Sequence, residues 1–145
     1  MKKIASKDNQ YIKQAISLKN RKYRIREQMF LLEGKTMVSE ALQSKHPLVR
    51  VLVDEAYREE YQALYEQFNH LQWLEIESRL FKTIADTETP QGIIAVAPIP
   101  RTDFEQLIGQ NASLILLDQI ADPGNLGTII RTAWALNIEI GRAHV

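Results

Sequence analysis

The sequence predicts an α/β fold in which a layer of largely parallel strands is flanked by helices. Two observations lead there. Short apolar or alternating runs rich in β-branched residues recur four times before residue 99, and segments of helical period separate them. The composition, 45% hydrophobic and 25% charged, is that of a globular protein. Strands that alternate with helices build a sheet covered on its faces by the crossover helices.

The elements follow in chain order. DNQYIKQAISLKN (8–20) sets Ile12, Ala15, Ile16 and Lys19 at three- and four-residue steps, with Asp8 or Asn9 as a cap, and predicts an amphipathic helix. MFLLEG (29–34) is a short apolar run ended by Gly34 and reads as a buried strand. Helical period returns from Lys35 to Gln43, with Met37, Val38, Ala41 and Leu42 on one side. LVRVLVD (48–54) alternates and predicts a second strand. Residues 55–69 predict a helix with Ala56, Ala63, Leu64 and Phe68 inward. LQWLEIE (71–77) is a third strand, SRLFKTIAD (78–86) a short helix capped by Ser78, and GIIAVAP (92–98) a fourth strand. PIPRTD (98–103) is a proline-bearing break before a helix, DFEQLIG. SLILLDQ (113–119) then opens a new buried strand that leads into IADPGNLGTIIRTAWALN.

Charge and composition narrow the function. The formal net charge is zero, yet residues 1–26 hold nine of the 18 basic residues against Asp8 alone. A basic arm on an acidic body suits a polyanion, because Lys or Arg near a phosphate releases condensed counterions; a solvated helix with a basic face is the plainer reading. The absence of cysteine excludes disulfides, thiolate metal sites and a cysteine nucleophile, and a reducing cytoplasm is the simplest location. The three histidines are scattered, so no metal site is expected. No apolar run reaches the roughly 18 residues that a membrane helix needs, and the N-terminus lacks the apolar stretch of a signal peptide.

The strand at 113–118 delivers Asp118 at its carboxyl end, where α/β folds place ligands. Asp122 is a good N-cap, Pro123 suits the first helical position, and Gly124 permits close approach of a backbone or ligand. Gly127, Arg131 and Trp134 then share a stripe at i, i+4 and i+7, while Leu126, Ile129, Ile130, Ala133 and Leu136 form the packed side. A helix start with free N–H groups favours an anion such as phosphate. Only Gly124 and Gly127 are present, so the dinucleotide and phosphate-loop patterns are not met. On these terms a capped structural helix with a surface arginine and a ligand-binding turn both stay open.

DQIADPGNLGTIIRTAWAL resembles the first signature of the SpoU/TrmH RNA methyltransferases, D-x-x-x-D-P-x-N-x-G-x-x-x-R-T-A. The match covers Asp118, Asp122, Pro123, Asn125, Gly127, Arg131, Thr132 and Ala133. FLLEGKTMVSEAL (30–42) and TPQGIIAVA (89–97) are similar to the ends of the substrate-binding domain that precedes the catalytic domain in many of these enzymes. The resemblance implies a ribosomal-protein-like α/β/α sandwich for RNA over residues 1–98 and a linker over 99–112. The first strand and helix of an α/β trefoil-knot (SPOUT) domain would follow over 113–139. It implies ribose 2′-O-methylation of ribosomal or transfer RNA with S-adenosylmethionine. Arg131 would activate the 2′-hydroxyl and Asn125 would help hold that arginine and the RNA. Arginine is an unusual base, since a free guanidinium loses its proton only above about pH 12; a phosphate and a desolvated pocket would let it orient or accept the proton. Lys22, Arg24 and Arg26 are the expected phosphate contacts. Glu33, Gly34 and Lys35 fall in a turn that recurs in the family, with a shape-setting role the stronger reading and RNA contact by Lys35 the other.

The sequence departs from the family after the first signature. The Gly-Gly-Glu and Ser-Leu-Asn segments of the knotted cofactor domain, through which the family commonly dimerises, do not appear. Methyl transfer by these 145 residues alone is therefore not expected. Residues 140–145 are expected to be a non-native tail, because codons for EIGRAHV can spell the start of a sequencing adapter. A non-catalytic RNA-binding module of ribosomal-protein-like fold is the alternative reading.

Overall fold

The computed structural model describes residues 1–44, 46–100, 114–136 and 138–140. It divides into two compact units, Met1–Ile99 and Pro100–Val145. The expected helix at 103–109 and most of the expected tail lie outside the described residues.

The first unit is a three-layer α/β/α sandwich. Its five strands are β1 (Lys2–Ile4), β2 (Met29–Glu33), β3 (Arg50–Asp54), β4 (Trp73–Ile76) and β5 (Ile93–Pro98), in the order β1-β4-β3-β5-β2. Five helices flank them: α1 (Gln10–Ser17), α2 (Arg21–Glu27), α3 (Lys35–Gln43), α4 (Gln62–Gln67) and α5 (Ser78–Ile84). Side chains alternate across the sheet because successive residues of a strand point to opposite faces. Val51 and Val53 of β3 pack with Ile93, Ala95 and Ala97 of β5 under Val38, Ala41, Leu42 and Tyr61. Leu52, Leu74, Ile76 and Ile94 face the other way, against Ile12, Ala15, Phe81 and Ile84 of α1 and α5. All five residues of β3 are buried, as a central strand covered on both faces requires.

Several expectations need correction. The sheet is mixed: β1, β4 and β3 run parallel, while β5 is antiparallel to both β3 and β2. Its last strand returns into the middle, which no local pattern encodes. Two elements of this unit, β1 and α2, were not expected. β1 carries only three residues, and α2 (RKYRIRE) buries none of its side chains. Residues 55–69 are not one helix: a 3-10 turn at Glu55–Tyr57 precedes α4, and Tyr61 is the buried anchor while Ala56 and Ala63 are exposed. Ile16 and Met37 are 40% and 52% exposed, so the α1 and α3 faces are narrower than their periods suggest. Asn9 caps α1 by accepting from the Tyr11 N–H. Ser78 does not cap α5; Glu77 holds that position and the Ser78 hydroxyl meets the Asp54 carboxylate.

The basic N-terminal stretch is part of this sandwich and not an arm. Lys3 pairs with Glu55 at 2.7 Å, Lys13 with Asp8 at 3.0 Å and Lys19 with Asp86 at 3.0 Å. The Glu55 carboxylate lies below its ordinary range, held there by Lys3 and by the Ser78 N–H.

In the second unit β6 (Leu114–Ile115) pairs in parallel with β7 (Glu139–Ile140), and α6 (Pro123–Ala135) connects them. β7 was not among the expected elements. Parallel neighbours need a crossover of this kind.

Candidate functional site

The signature turn of the second unit is built around the start of α6. Asp122 sits in extended backbone, and its carboxylate accepts from the Gly124 N–H at 3.1 Å and the Asn125 N–H at 3.0 Å. Pro123 occupies the first helical turn, where its missing N–H costs nothing. The Asp122 carboxylate thus satisfies donors that were expected to attract an external phosphate. The helix start is a finished cap and not an open seat for an anion. The Thr128 hydroxyl closes the turn by donating to the Gly124 carbonyl at 3.0 Å.

One turn on, the geometry explains the glycine–arginine spacing. A Cβ built at Gly127 would lie 3.8 and 3.9 Å from the two terminal nitrogens of Arg131. The guanidinium therefore folds back along α6 and rests over the glycine. Any side chain at 127 extending beyond Cβ would compete for that space. Arg131, Asn125, Gly124 and Asp118 are all exposed, as is Trp134 at 81%. Of the expected packed side, Ala133 is buried, Leu126 and Ile129 are half-buried, and Ile130 and Leu136 are 41% and 66% exposed. The expected strand at 113–118 ends at Ile115, so Asp118 lies in the following loop and not at a strand end, beside Gln119 with a left-handed φ of 51°. Chemically, the site offers a planar cation with several donors facing solvent from a glycine floor, suited to a hydroxyl or phosphate oxygen. One helix between two short strands does not surround a ligand as large as S-adenosylmethionine. The described residues therefore do not suffice to hold that cofactor.

In the first unit the four expected RNA contacts differ in their commitments. Lys22 is exposed in the first turn of α2, and its N–H is capped by Asn20 at 2.9 Å. Arg24 donates from Nη1 to the Leu18 and Lys19 carbonyls at 3.0 and 2.7 Å, closing the end of α1. Arg26 stacks on Tyr23 at 4.5 Å and pairs with Glu27 at 3.1 Å. Lys35 pairs with Glu60 at 2.9 Å through its ammonium, while its N–H donates to Gln91 Oε1 at 2.8 Å. Gly34 beside it has φ 98°, and Glu33 accepts from the Asp86 N–H at 2.8 Å. This turn fastens β2 and α3 to the segment that enters β5. There Gly92, at φ 72°, leaves room for the Tyr57 ring, which a Cβ would meet at 2.3 Å.

Among the described residues no three His, Asp or Glu side chains converge as metal ligands, and no helix is long and apolar enough to cross a membrane.

The chain thus joins a five-stranded α/β/α sandwich to a βαβ unit that carries the Asp122, Asn125, Gly127 and Arg131 signature. Comparison with known proteins identifies its family. Residues 9–95 match the MRM3-like substrate binding domain. The chain is 34% identical over 139 residues to the 23S rRNA (guanosine(2553)-2'-O)-methyltransferase RlmP of Bacillus subtilis, covering 96% of this chain and 53% of that protein. A crystal structure of an RNA 2'-O ribose methyltransferase superposes with a TM-score of 0.71 at 30% identity, over 99% of this chain and 56% of the other. An AdoMet-bound rRNA methyltransferase from Sinorhizobium meliloti gives 0.75 at 26% identity, over 99% and 56%. The chain belongs to the SpoU/TrmH family of RNA 2′-O-methyltransferases. It spans about half the length of the curated relatives it matches first.

Proposed function

We propose that this protein serves RNA ribose 2′-O-methylation, with ribosomal or transfer RNA as substrate and S-adenosylmethionine as methyl donor. The observation that carries the reading is Arg131 resting over Gly127 on the first turns of a helix capped by Asp122. Residues 1–98 form the RNA-docking domain in this reading, 99–112 the linker, and 113–139 the start of the methyltransferase domain. Lys22, Arg26 and Lys35 present exposed cations to phosphates, which position RNA without specifying sequence. Arg24 adds charge beside them while it holds the end of α1. In the longer form of the family the protein works in the cytoplasm as a homodimer.

Arg131 acts on the ribose. Its guanidinium orients the 2′-hydroxyl, and in a dry pocket beside a phosphate it takes or passes on the hydroxyl proton as the oxygen gains the methyl group. Asn125, six residues earlier, lies toward the end of the helix to which the guanidinium folds and helps to fix it and the RNA. Holding the two reactants in line supplies much of the acceleration. S-adenosylmethionine supplies the methyl group.

The test is methyl transfer from labelled donor to RNA by a chain extended to the length of its relatives. Arg131→Ala is expected to abolish transfer and leave RNA affinity within about twofold. Turnover retained in that variant would remove the role given to Arg131. Tight RNA binding without any transfer by the extended chain would favour a non-catalytic RNA-binding module.

A further inference from the structure

The first unit contains a cleft of about 520 Å³ between α1, the end of α2 and the start of β3, lined in part by Tyr11, Lys13, Gln14, Arg26, Glu27 and Arg50. Its floor is unusual. Arg50 is only 8% exposed, yet it makes no ion pair with any described residue. Its partners are neutral: Nη1 donates to Gln14 Oε1, Nε donates to Gln72 Oε1 at 3.2 Å, and the guanidinium lies 4.5 Å from the centre of the Tyr11 ring. A buried guanidinium without a carboxylate is costly, and burial pulls its pKa down from the ordinary value. An incoming anion relieves that cost.

The wall is arranged for more than a bare anion. Glu27 is fixed between the Gln14 amide, at 2.9 Å, and Arg26, at 3.1 Å. Those two contacts hold its carboxyl below the usual range, so it accepts hydrogen bonds at neutral pH. Three cations outnumber the two carboxylates beside them, Glu27 and the Asp8 that pairs with Lys13, and so favour a phosphate, while Gln14 and Glu27 offer the mixed donors and acceptors that a base edge requires. The volume falls within the roughly 300–1,000 Å³ of small-ligand pockets and is far too small for a duplex. Single-stranded RNA with a splayed nucleotide meets that limit. The cleft also lies away from the Gly34–Lys35 turn. Arg50 is in register with Val96, and Met29 with Pro98, so it sits at the end of the sheet from which the chain leaves this unit.

We propose that this cleft is a nucleotide subsite, taking one unpaired nucleotide of an RNA strand with its phosphate toward Arg50, Arg26 and Lys13 and its base edge toward Gln14 and Glu27. The inference rests on the RNA reading above and names where on the first unit a strand is held.

The test uses the 15N-labelled 145-residue chain, titrated at low salt with a mixed-sequence single-stranded octaribonucleotide and, separately, with inorganic phosphate and a 5′-mononucleotide. The octanucleotide is expected to shift the Arg50 Nε–H and Gln14 side-chain amide signals. Arg26→Gln and Lys13→Gln, at exposed cleft cations whose loss spares the fold, are each expected to weaken binding about tenfold. Each should also lower the salt slope by about one. Lys82→Gln, which removes an exposed charge on α5 away from the cleft, is expected to change affinity less than twofold. RNA that binds both cleft variants as tightly as the unaltered chain, and leaves the Arg50 signal in place, overturns the subsite. Phosphate or mononucleotide shifting Arg50 at lower concentration than RNA also overturns it, in favour of a free small anion. Neither result touches the methylation reading, which stands or falls on methyl transfer by the extended chain.

Discussion

Tyr61 carries a consequence that can be read by pH. It is 1% exposed, packs in the core beneath α3 and α4, and donates its hydroxyl to the Gln91 carbonyl at 2.5 Å. Burial, with Glu60 nearby, pushes its pKa up to about 12, from an ordinary value near 10. The folded state therefore keeps this proton after the unfolded chain has lost it. The contribution to stability is complete below pH ~10 and is lost as pH rises toward 12. In an absorbance titration with the fold monitored by circular dichroism, one of the five tyrosines should ionise late. Tyr61→Phe should remove that late phase; all five ionising together in a still-folded chain would contradict it. Sequence reasoning missed this residue because one continuous helix over 55–69 puts Ala56, Ala63, Leu64 and Phe68 inward and leaves Tyr61 off that face. A 3-10 turn before α4 shifts the phase and puts the aromatic inward. Arg50 was hidden for a related reason: alternation in LVRVLVD gives an arginine the look of a solvent-facing position. A central strand covered on both faces has no such position.

At the scale of elements, legibility followed the strength of the local signal. Strands β2 to β5 and helices α1, α3 and α6 have a clear period or a capping residue, and they stand within a few residues of expectation. β1 is three residues with two lysines, and only its pairing with β4, Lys2 opposite Leu74, makes it a strand. α2 has no apolar stripe and depends on its ends: Asn20 caps its start, and Gln28, at φ 53°, ends it in the left-handed region. The candidate site was legible as far as its residue types and spacing. Asp122, legible in the sequence as a cap, takes the donors that an external anion would need at the helix start. Asp122→Ala leaves two N–H groups unpaired and should cost α6 about 1 kcal/mol. Hydrogen exchange of the amides in its first turns, including the Leu126 N–H that bonds to the Asp122 carbonyl at 3.1 Å, should quicken accordingly. Unchanged exchange there would mean that the cap contributes nothing to the helix.

On the scale of the molecule, the two tryptophans report on different units. Trp73 is 4% exposed, donates to the Phe68 carbonyl at 3.0 Å and meets Tyr65 edge-on at 5.8 Å. Trp134 is 81% exposed. Unfolding in urea should shift the emission of Trp73 strongly and that of Trp134 hardly at all. Trp73→Phe is thus expected to silence the transition that Trp134→Phe leaves in place, and the reverse pattern would contradict the exposure of α6. A different consequence follows from the place of β5. Among the described residues strand β2 pairs only with β5, more than sixty residues later in the chain, and β5 joins it to β3. A growing polypeptide cannot close this sheet in the order in which it is made. Until its ninety-third to ninety-eighth residues are free of the ribosome, the Met29–Glu33 segment has no backbone partner in the sheet, and the sandwich waits on its last strand.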